Sequence, residues 1–148
     1  MSKPFHIAID GPVAAGKGTI SRLVAQRLGF LYVDTGAMYR MAALLALRNK
    51  VDFKDEDKIV ELVNNSTMEM CNPAGQEQDG RLTTITLDGE DVSSKIRTPE
   101  ATDGSSKVAV LPQVRESLVK KQQIIAQNQS VIMEGRDITS KVLPNAQL

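Results

Sequence analysis

The 148-residue chain has no tryptophan, one cysteine, and three phenylalanines and two tyrosines as its only aromatic residues. A protein that reads nucleic-acid strands by stacking base after base on aromatic rings needs more rings than this, so serial stacking is excluded as the main recognition device. Cys71 has no partner in the sequence, which excludes an internal disulfide and with it the disulfide-stapled secreted scaffolds. The formal net charge is zero, 18 basic against 18 acidic residues, which removes the footprint expected of a binder of long nucleic acid. The longest unbroken apolar run, residues 41–47, is far shorter than the roughly 20 residues of a membrane helix. The first apolar stretch, residues 5–9, stops at Asp10 and is too short for a secretory leader, so the cytoplasm is the expected compartment. There is a single histidine, His6, and no Cys/His cluster to recruit it or Cys71 to a metal, so both are read as core or edge residues.

What is present is an ordinary globular composition, 41% hydrophobic and 24% charged, and enough chain for one domain with a core but not for two large ones. The zero charge hides an asymmetry. Residues 1–50 carry seven Lys/Arg against two Asp/Glu, residues 51–100 five against twelve, and residues 101–148 six against four. A basic first third suits a small polyanion such as a nucleotide, and the acidic middle reads as a solvated insertion.

Patterning gives alternating strands and helices. Residues 5–9, 30–33 and 131–133 are short apolar runs bounded by turn signals and read as buried strands. Ile20, Leu23, Val24 and Leu28 recur at helical spacing, with Gly29 placed to terminate that helix. Helices are also expected over 37–48, over 55–63 with Asp55 as N-cap, over 99–109 with Thr98 capping and Pro99 at the first helical position, and over 112–127. Between 67 and 92 the character changes: residues 83–87 are β-rich and stop at Asp88-Gly89, a hairpin signal, while 72–75 and 78–80 read as turns. The expected fold is α/β, a parallel sheet with helices on both faces and a small antiparallel β insertion. The core spans 1–66 and 93–148, and the insertion 67–92.

One motif in this frame carries chemistry. Gly11, Pro12, Val13, Ala14, Ala15, Gly16, Lys17, Gly18 and Thr19 lie between the first strand and the first helix and fit G-x-x-x-x-G-K. Glycines let the backbone wrap a phosphate. Successive N–H groups and the helix N-terminus supply positive potential, and Lys17 adds a full charge that reaches the β- and γ-phosphates. Gly18 replaces the usual Ser/Thr after the lysine and so removes the hydroxyl that would meet Mg²⁺ there. A dinucleotide fold would need G-x-G-x-x-G, which this loop lacks. Asn49-Lys50-Val51-Asp52 matches the pattern by which GTPases read guanine, but it follows a helix rather than a buried strand and is read as a decoy.

Five blocks together carry a resemblance: residues 9–19, then Asp34-Thr35-Gly36-Ala37-Met38-Tyr39-Arg40, then 96–100, then 112–116, then Glu134-Gly135-Arg136-Asp137-Ile138. In that order and spacing they resemble bacterial cytidylate kinase, a P-loop nucleoside monophosphate kinase family. The resemblance implies transfer of the γ-phosphoryl of ATP, with Mg²⁺, to CMP or dCMP. It implies Lys17 and Arg136 as catalytic residues and the loop from Gly11 to Thr19 as the ATP site. Thr35, Arg40, Ser106, Arg115, Arg136 and Asp137 are implied substrate ligands. Arg40 and Arg136 would hold the CMP phosphate in guanidinium forks. Asp137 would accept from the cytosine amino group, with Ser106 and Arg115 as donors to the ring. Glu134 would act on Mg²⁺ through water, without direct ligation. Arg97 reads as a surface or capping charge, and Gly104 interrupts an expected helix.

The implied partners are small nucleotides, with no nucleic-acid polymer and no membrane, and the full-length protein is expected to be a monomer. The family's chains continue past the equivalent of Leu148 into a further core strand and an arginine-bearing lid. Two other readings stay open: a non-catalytic nucleotide-binding fragment, and another small-molecule P-loop kinase. The missing strands also predict that residues 5–9 form an open sheet edge, adhesive unless something occupies it.

Overall fold

The computed structural model describes residues 3–10, 17–73 and 83–148, and the side chains of residues 17–19 lie outside that description. In chain order the elements are β1 (His6–Asp10), α1 (Lys17–Leu28), β2 (Leu31–Asp34), α2 (Gly36–Arg48), α3 (Glu56–Asn64), β3 (Met68–Cys71), β4 (Thr84–Leu87) and β5 (Glu90–Asp91). A short 3-10 turn at Lys95–Arg97 follows, then α4 (Pro99–Val108), α5 (Pro112–Ala126), β6 (Val131–Gly135) and a π-type turn at Ile138–Val142. Each strand and helix expected from the sequence over the described residues is found within one to three residues of its expected bounds. The phosphate loop from Gly11 to Gly16 and the turns at 74–75 and 78–80 fall outside the described residues.

The chain divides into two compact units. The first comprises Met1–Thr35, Met70–Thr84 and Gln122–Leu148. Its centre is a parallel sheet in the order β1-β6-β2, with His6 and Leu31 both opposite Val131. Strands of parallel sheets are covered on both faces and read as continuous apolar runs. Val33, Val131, Ile132 and Met133 have no solvent exposure. Helix α1 turns Ala25 onto Ile7, Tyr32 and Ile132. It ends where Gly29 takes φ +68°, the left-handed conformation that stops a helix at low cost in glycine.

β1 lies at the end of this sheet, as expected, but its outer side is met from within the chain. The Ala8 N–H donates to the Leu148 carbonyl at 2.9 Å, the Gln147 N–H donates to the His6 carbonyl at 3.1 Å, and the His6 N–H donates to Gln147 Oε1 at 2.9 Å. The last two residues thus supply the pairing that the sequence reading assigned to some other occupant. His6 is half-buried, with Nε2 2.7 Å from the Ala126 carbonyl.

The second unit comprises Gly36–Glu69 and Ile85–Lys121. Helix α2 is nearly all apolar (GAMYRMAALLALR) and buries Ala37, Met38 and the run from Met41 to Ala46. α4 packs along it. Gly104 is what permits the approach: a Cβ there would lie 2.5 Å from Phe53 Cζ and 2.9 Å from the Ala43 Cβ. The mid-helix glycine, which costs about 1 kcal/mol in propensity, is therefore explained by packing. Asp55 caps α3 by accepting from the Lys58 N–H at 3.4 Å, and Thr98 caps α4 by accepting from the Ala101 N–H at 3.2 Å.

The β strands of the insertion form a sheet in the order β3-β4-β5, with β4 and β5 antiparallel. Asp88 and Gly89 both have positive φ, +50° and +84°, as a two-residue hairpin turn requires. Asn49-Lys50-Val51-Asp52 forms the terminator of α2. Asn49 Nδ2 donates to the Leu45 carbonyl at 2.8 Å, Lys50 has φ +55°, and Asp52 accepts from the Lys54 N–H at 2.8 Å.

Candidate functional site

In open α/β sheets, ligands bind outside the carboxyl ends of the parallel strands. In the first unit those ends are Asp10 of β1, Gly135 of β6 and Asp34 of β2, with Asp10 paired to Gly135 and Asp34 to Glu134. The backbone of α1 begins at Lys17, so that residue stands at the N-terminus of the helix that follows the phosphate loop.

Glu134 is 6% exposed and is the one buried carboxylate among the described residues. A buried charge survives only when its lone pairs are satisfied. Here the Ser21 hydroxyl donates to Oε2 at 3.0 Å, and the Tyr32 hydroxyl donates to Oε1 in a short hydrogen bond. Burial, the hydrogen bond to Glu134, and the negative charges of Asp34 and Glu134 drive the Tyr32 phenol well above its ordinary pKa, so Tyr32 stays a donor. The Arg22 guanidinium lies 5.7 Å from the Tyr32 ring centroid. The network joins α1, β2 and β6 beneath the carboxyl end of the sheet.

Thr35 is buried, and both its N–H and its hydroxyl lie 3.1 Å from the Glu134 carbonyl oxygen, to which they donate. The next residue has to be glycine: a Cβ at Gly135 would collide with Thr35 Oγ1. Arg136 is then exposed, and Asp137 is half-buried in the left-handed region at φ 59°, ψ 26°. Beyond it the Asp10 carboxylate accepts from the Ile138 N–H at 2.7 Å, from the Thr139 N–H at 3.1 Å, and from the Thr139 hydroxyl. Burial alone would raise the Asp10 carboxyl, but these three donors outweigh it and hold it below its ordinary value.

The sequence-derived ligands divide between the units. Thr35, Arg136 and Asp137 belong to the first and come together around the end of β6. In the second unit Arg40 is half-buried on α2, Ser106 is exposed on α4, and Arg115 is half-buried in the first turn of α5. The side chains of Lys17 and Thr19 and the loop from Gly11 to Gly16 fall outside the described residues. Sequence reasoning gave no role to Ser21, Tyr32 or Thr139 and treated Asp10 only as part of a block. An acid directly between a buried strand and a glycine-rich loop was the one available signal.

The family model described as cytidylate kinase matches residues 7–148. The chain belongs to the cytidylate kinase family. It is 49% identical over 146 residues to the cytidylate kinase of Caldicellulosiruptor bescii, covering 99% of this chain and 62% of that protein. It is 44% identical over 144 residues to that of Lactobacillus gasseri, covering 97% and 60%, and 45% identical over 148 residues to that of Bacillus thuringiensis, covering 100% and 63%. The chain thus spans about three fifths of the curated cytidylate kinases it matches. Its α/β fold, with a parallel sheet flanked by helices and a small antiparallel sheet, is consistent with that P-loop kinase family. Among the described residues, no helix is long and apolar enough to cross a membrane.

Proposed function

We propose that this chain is the part of a cytidylate kinase that holds the phosphate loop and the acceptor-nucleotide residues of an enzyme moving the γ-phosphoryl of MgATP to CMP or dCMP. The observation that carries the reading is the family match over residues 7–148. It runs through the strand–loop–helix unit that leads to Lys17 and the Arg136–Asp137 turn at the sheet's carboxyl end.

In the proposed reaction an oxygen of the CMP phosphate forms a bond to the γ-phosphorus as the bond to the β,γ-bridging oxygen breaks, giving CDP and ADP. Positioning and charge stabilisation do most of the work in such transfers, and no covalent enzyme intermediate is needed. Lys17 and the N–H groups of the Gly11–Thr19 loop bind the ATP phosphates. Arg136 and Arg40 hold the CMP phosphate, Thr35 contacts the acceptor nucleotide, and Asp137, Ser106 and Arg115 read cytosine. Mg²⁺ arrives on the ATP phosphates as part of the substrate. Glu134, an oxygen donor of the hard type this ion prefers, would meet it through water while keeping its hydrogen bonds to Ser21 and Tyr32. Residues 67–92 are proposed as an insertion on the acceptor side of a core made of 1–66 and 93–148. The compartment is proposed to be the cytoplasm and the full-length protein a monomer.

The chain's share of its relatives' length favours one second reading, that it binds nucleotide with little turnover. A coupled ADP-release assay with CMP, dCMP, UMP and AMP as acceptors, beside a CMP titration, separates the cases. Turnover with CMP and dCMP above the other acceptors supports the kinase, and tight CMP binding without turnover supports the binding fragment. Preference for another acceptor overturns both.

A further inference from the structure

We infer that Asp10 is a positioning residue for the acceptor nucleotide, acting through the Arg136–Asp137 turn; this rests on the reading of those two residues as CMP ligands. The turn leaves β6 at Gly135 and must present two side chains of opposite charge to one ligand within two residues. Its backbone is fixed at both ends. On the near side, the Thr35 N–H and hydroxyl grip the Glu134 carbonyl, and contact with Thr35 fills the space a side chain at Gly135 would need. On the far side, both oxygens of Asp10 are engaged: Oδ1 by the Ile138 N–H and Oδ2 by the N–H and hydroxyl of Thr139.

Between these grips Asp137 sits at φ 59°, a conformation L-residues seldom keep unless their surroundings impose it. A carboxylate suits the task. It accepts on both oxygens and carries the charge that shortens and strengthens such bonds. An asparagine would turn an NH₂ donor toward one of the donors it should accept from. The depressed Asp10 carboxyl is in keeping with three donors converging on it. Asp10 is also bonded directly to Gly11, the first residue of the phosphate-loop motif. One side chain therefore ties the start of the donor-side loop to the turn carrying the proposed acceptor ligands. Thr139 strengthens the tie with a hydroxyl that a glycine there would not provide.

The test is isothermal titration of the 148-residue chain with CMP and with ATP, alongside thermal melting. Asp10→Asn is expected to weaken CMP about tenfold or more, the scale of losing a hydrogen bond to a charged group, and to change ATP affinity by less than about threefold. Thr139→Val, which leaves Asp10 and the phosphate loop intact, is expected to weaken CMP about threefold to tenfold and leave ATP unchanged, with Thr139→Ser restoring it. The double variant should be no weaker for CMP than Asp10→Asn alone, because both act through one contact. A folded Thr139→Val chain with unaltered CMP affinity would overturn the inference, as would equal losses for the two nucleotides. If the unsubstituted chain does not bind CMP, the ligand reading of Arg136 and Asp137 fails first and the inference falls with it.

Discussion

The two compact units treat charge in opposite ways, although both bury hydroxyls, Ser66, Ser93 and Ser117 in the second. The first places a carboxylate, a phenol hydroxyl and two further hydroxyls inside and satisfies them against one another: Glu134, Tyr32, Ser21 and Thr35. The second fills its interior with Met38, Met41, Ile59, Ile96 and Leu118 and carries its ion cluster at the surface, where the Arg48 guanidinium spans both oxygens of Glu90 at 2.8 and 2.9 Å and Lys95 joins them. Apolar burial favours a fold without specifying chemistry, whereas a buried charge costs stability unless every partner is in place. A charge held inside, at the carboxyl ends of parallel strands, keeps its neighbours' side chains in fixed directions; the helical unit's interior rests on apolar density.

If that division is right, the two units should fail differently. The largest effect is expected from Lys17→Met, which should reduce phosphoryl transfer at least hundredfold, roughly 2.7 kcal/mol in the barrier, while the melting curve stays in place. A coupled kinase assay beside calorimetry checks this, and retention of a tenth of the rate would remove Lys17 from its role. Gly104→Val should act in the reverse sense. The added side chain meets the Ala43 Cβ, which cannot turn away, and the end of the Phe53 ring, so about 2.5 kcal/mol of stability should be lost by overpacking. Urea unfolding would show this as a lower midpoint at unchanged slope.

Glu134→Leu should cost about 2 kcal/mol by leaving the Ser21 and Tyr32 hydroxyls without this acceptor, and Glu134→Gln should cost less because one oxygen remains. Equal losses in the two variants would show that the buried charge, rather than the hydrogen bonding, matters there.

The smallest effect belongs to the exposed cluster. The Arg48 hydrogen bond, then that of Lys95, lowers the Glu90 carboxyl from 4.5 to about 2. A carboxyl depressed on folding adds stability that is present above its unfolded value near 4.5 and is lost as pH falls through about 2. Glu90→Gln should therefore lower the melting temperature slightly at pH 7 and not at all well below pH 2. A difference that persists in acid would mean the side chain contributes by packing.

Much of this was legible in the residues because local rules and the global fold agree. Short apolar runs of three to five residues between turn signals became the three parallel strands. Asp55, Thr98 and Pro99 marked helix starts, and Gly29 and Asp88-Gly89 marked reversals. The family was legible because its motifs are short and sit at the ends of strands and the starts of helices, whose spacing the intervening elements fix. What the sequence did not show was partnership across distance. Nothing near Tyr32 in sequence says that its hydroxyl reaches a carboxylate 102 positions away. Gly104 looked like a flaw in a helix until Phe53 was found against it. Asp10 could be placed after a strand, but its donors lie 128 and 129 residues on and depend on strand order. The open edge was foreseen, whereas the tail that meets it was not, since Gln147 and Leu148 have no pattern of their own.

That tail gives the first unit a clock readable at single amides. In a parallel ladder, alternate residues of a strand direct their N–H and C=O groups to opposite sides. Val131 donates to the Phe5 carbonyl, and Ala8 donates outward to Leu148, so the amides of Ile7 and Ile9 face β6 while those of His6 and Ala8 face the tail. Release of Gln147 and Leu148 from β1 would expose the second pair to deuterium and leave the first untouched. The rate at Ala8 then times the opening of a two-residue clasp, and the rates at Ile7 and Ile9 time the opening of the sheet itself.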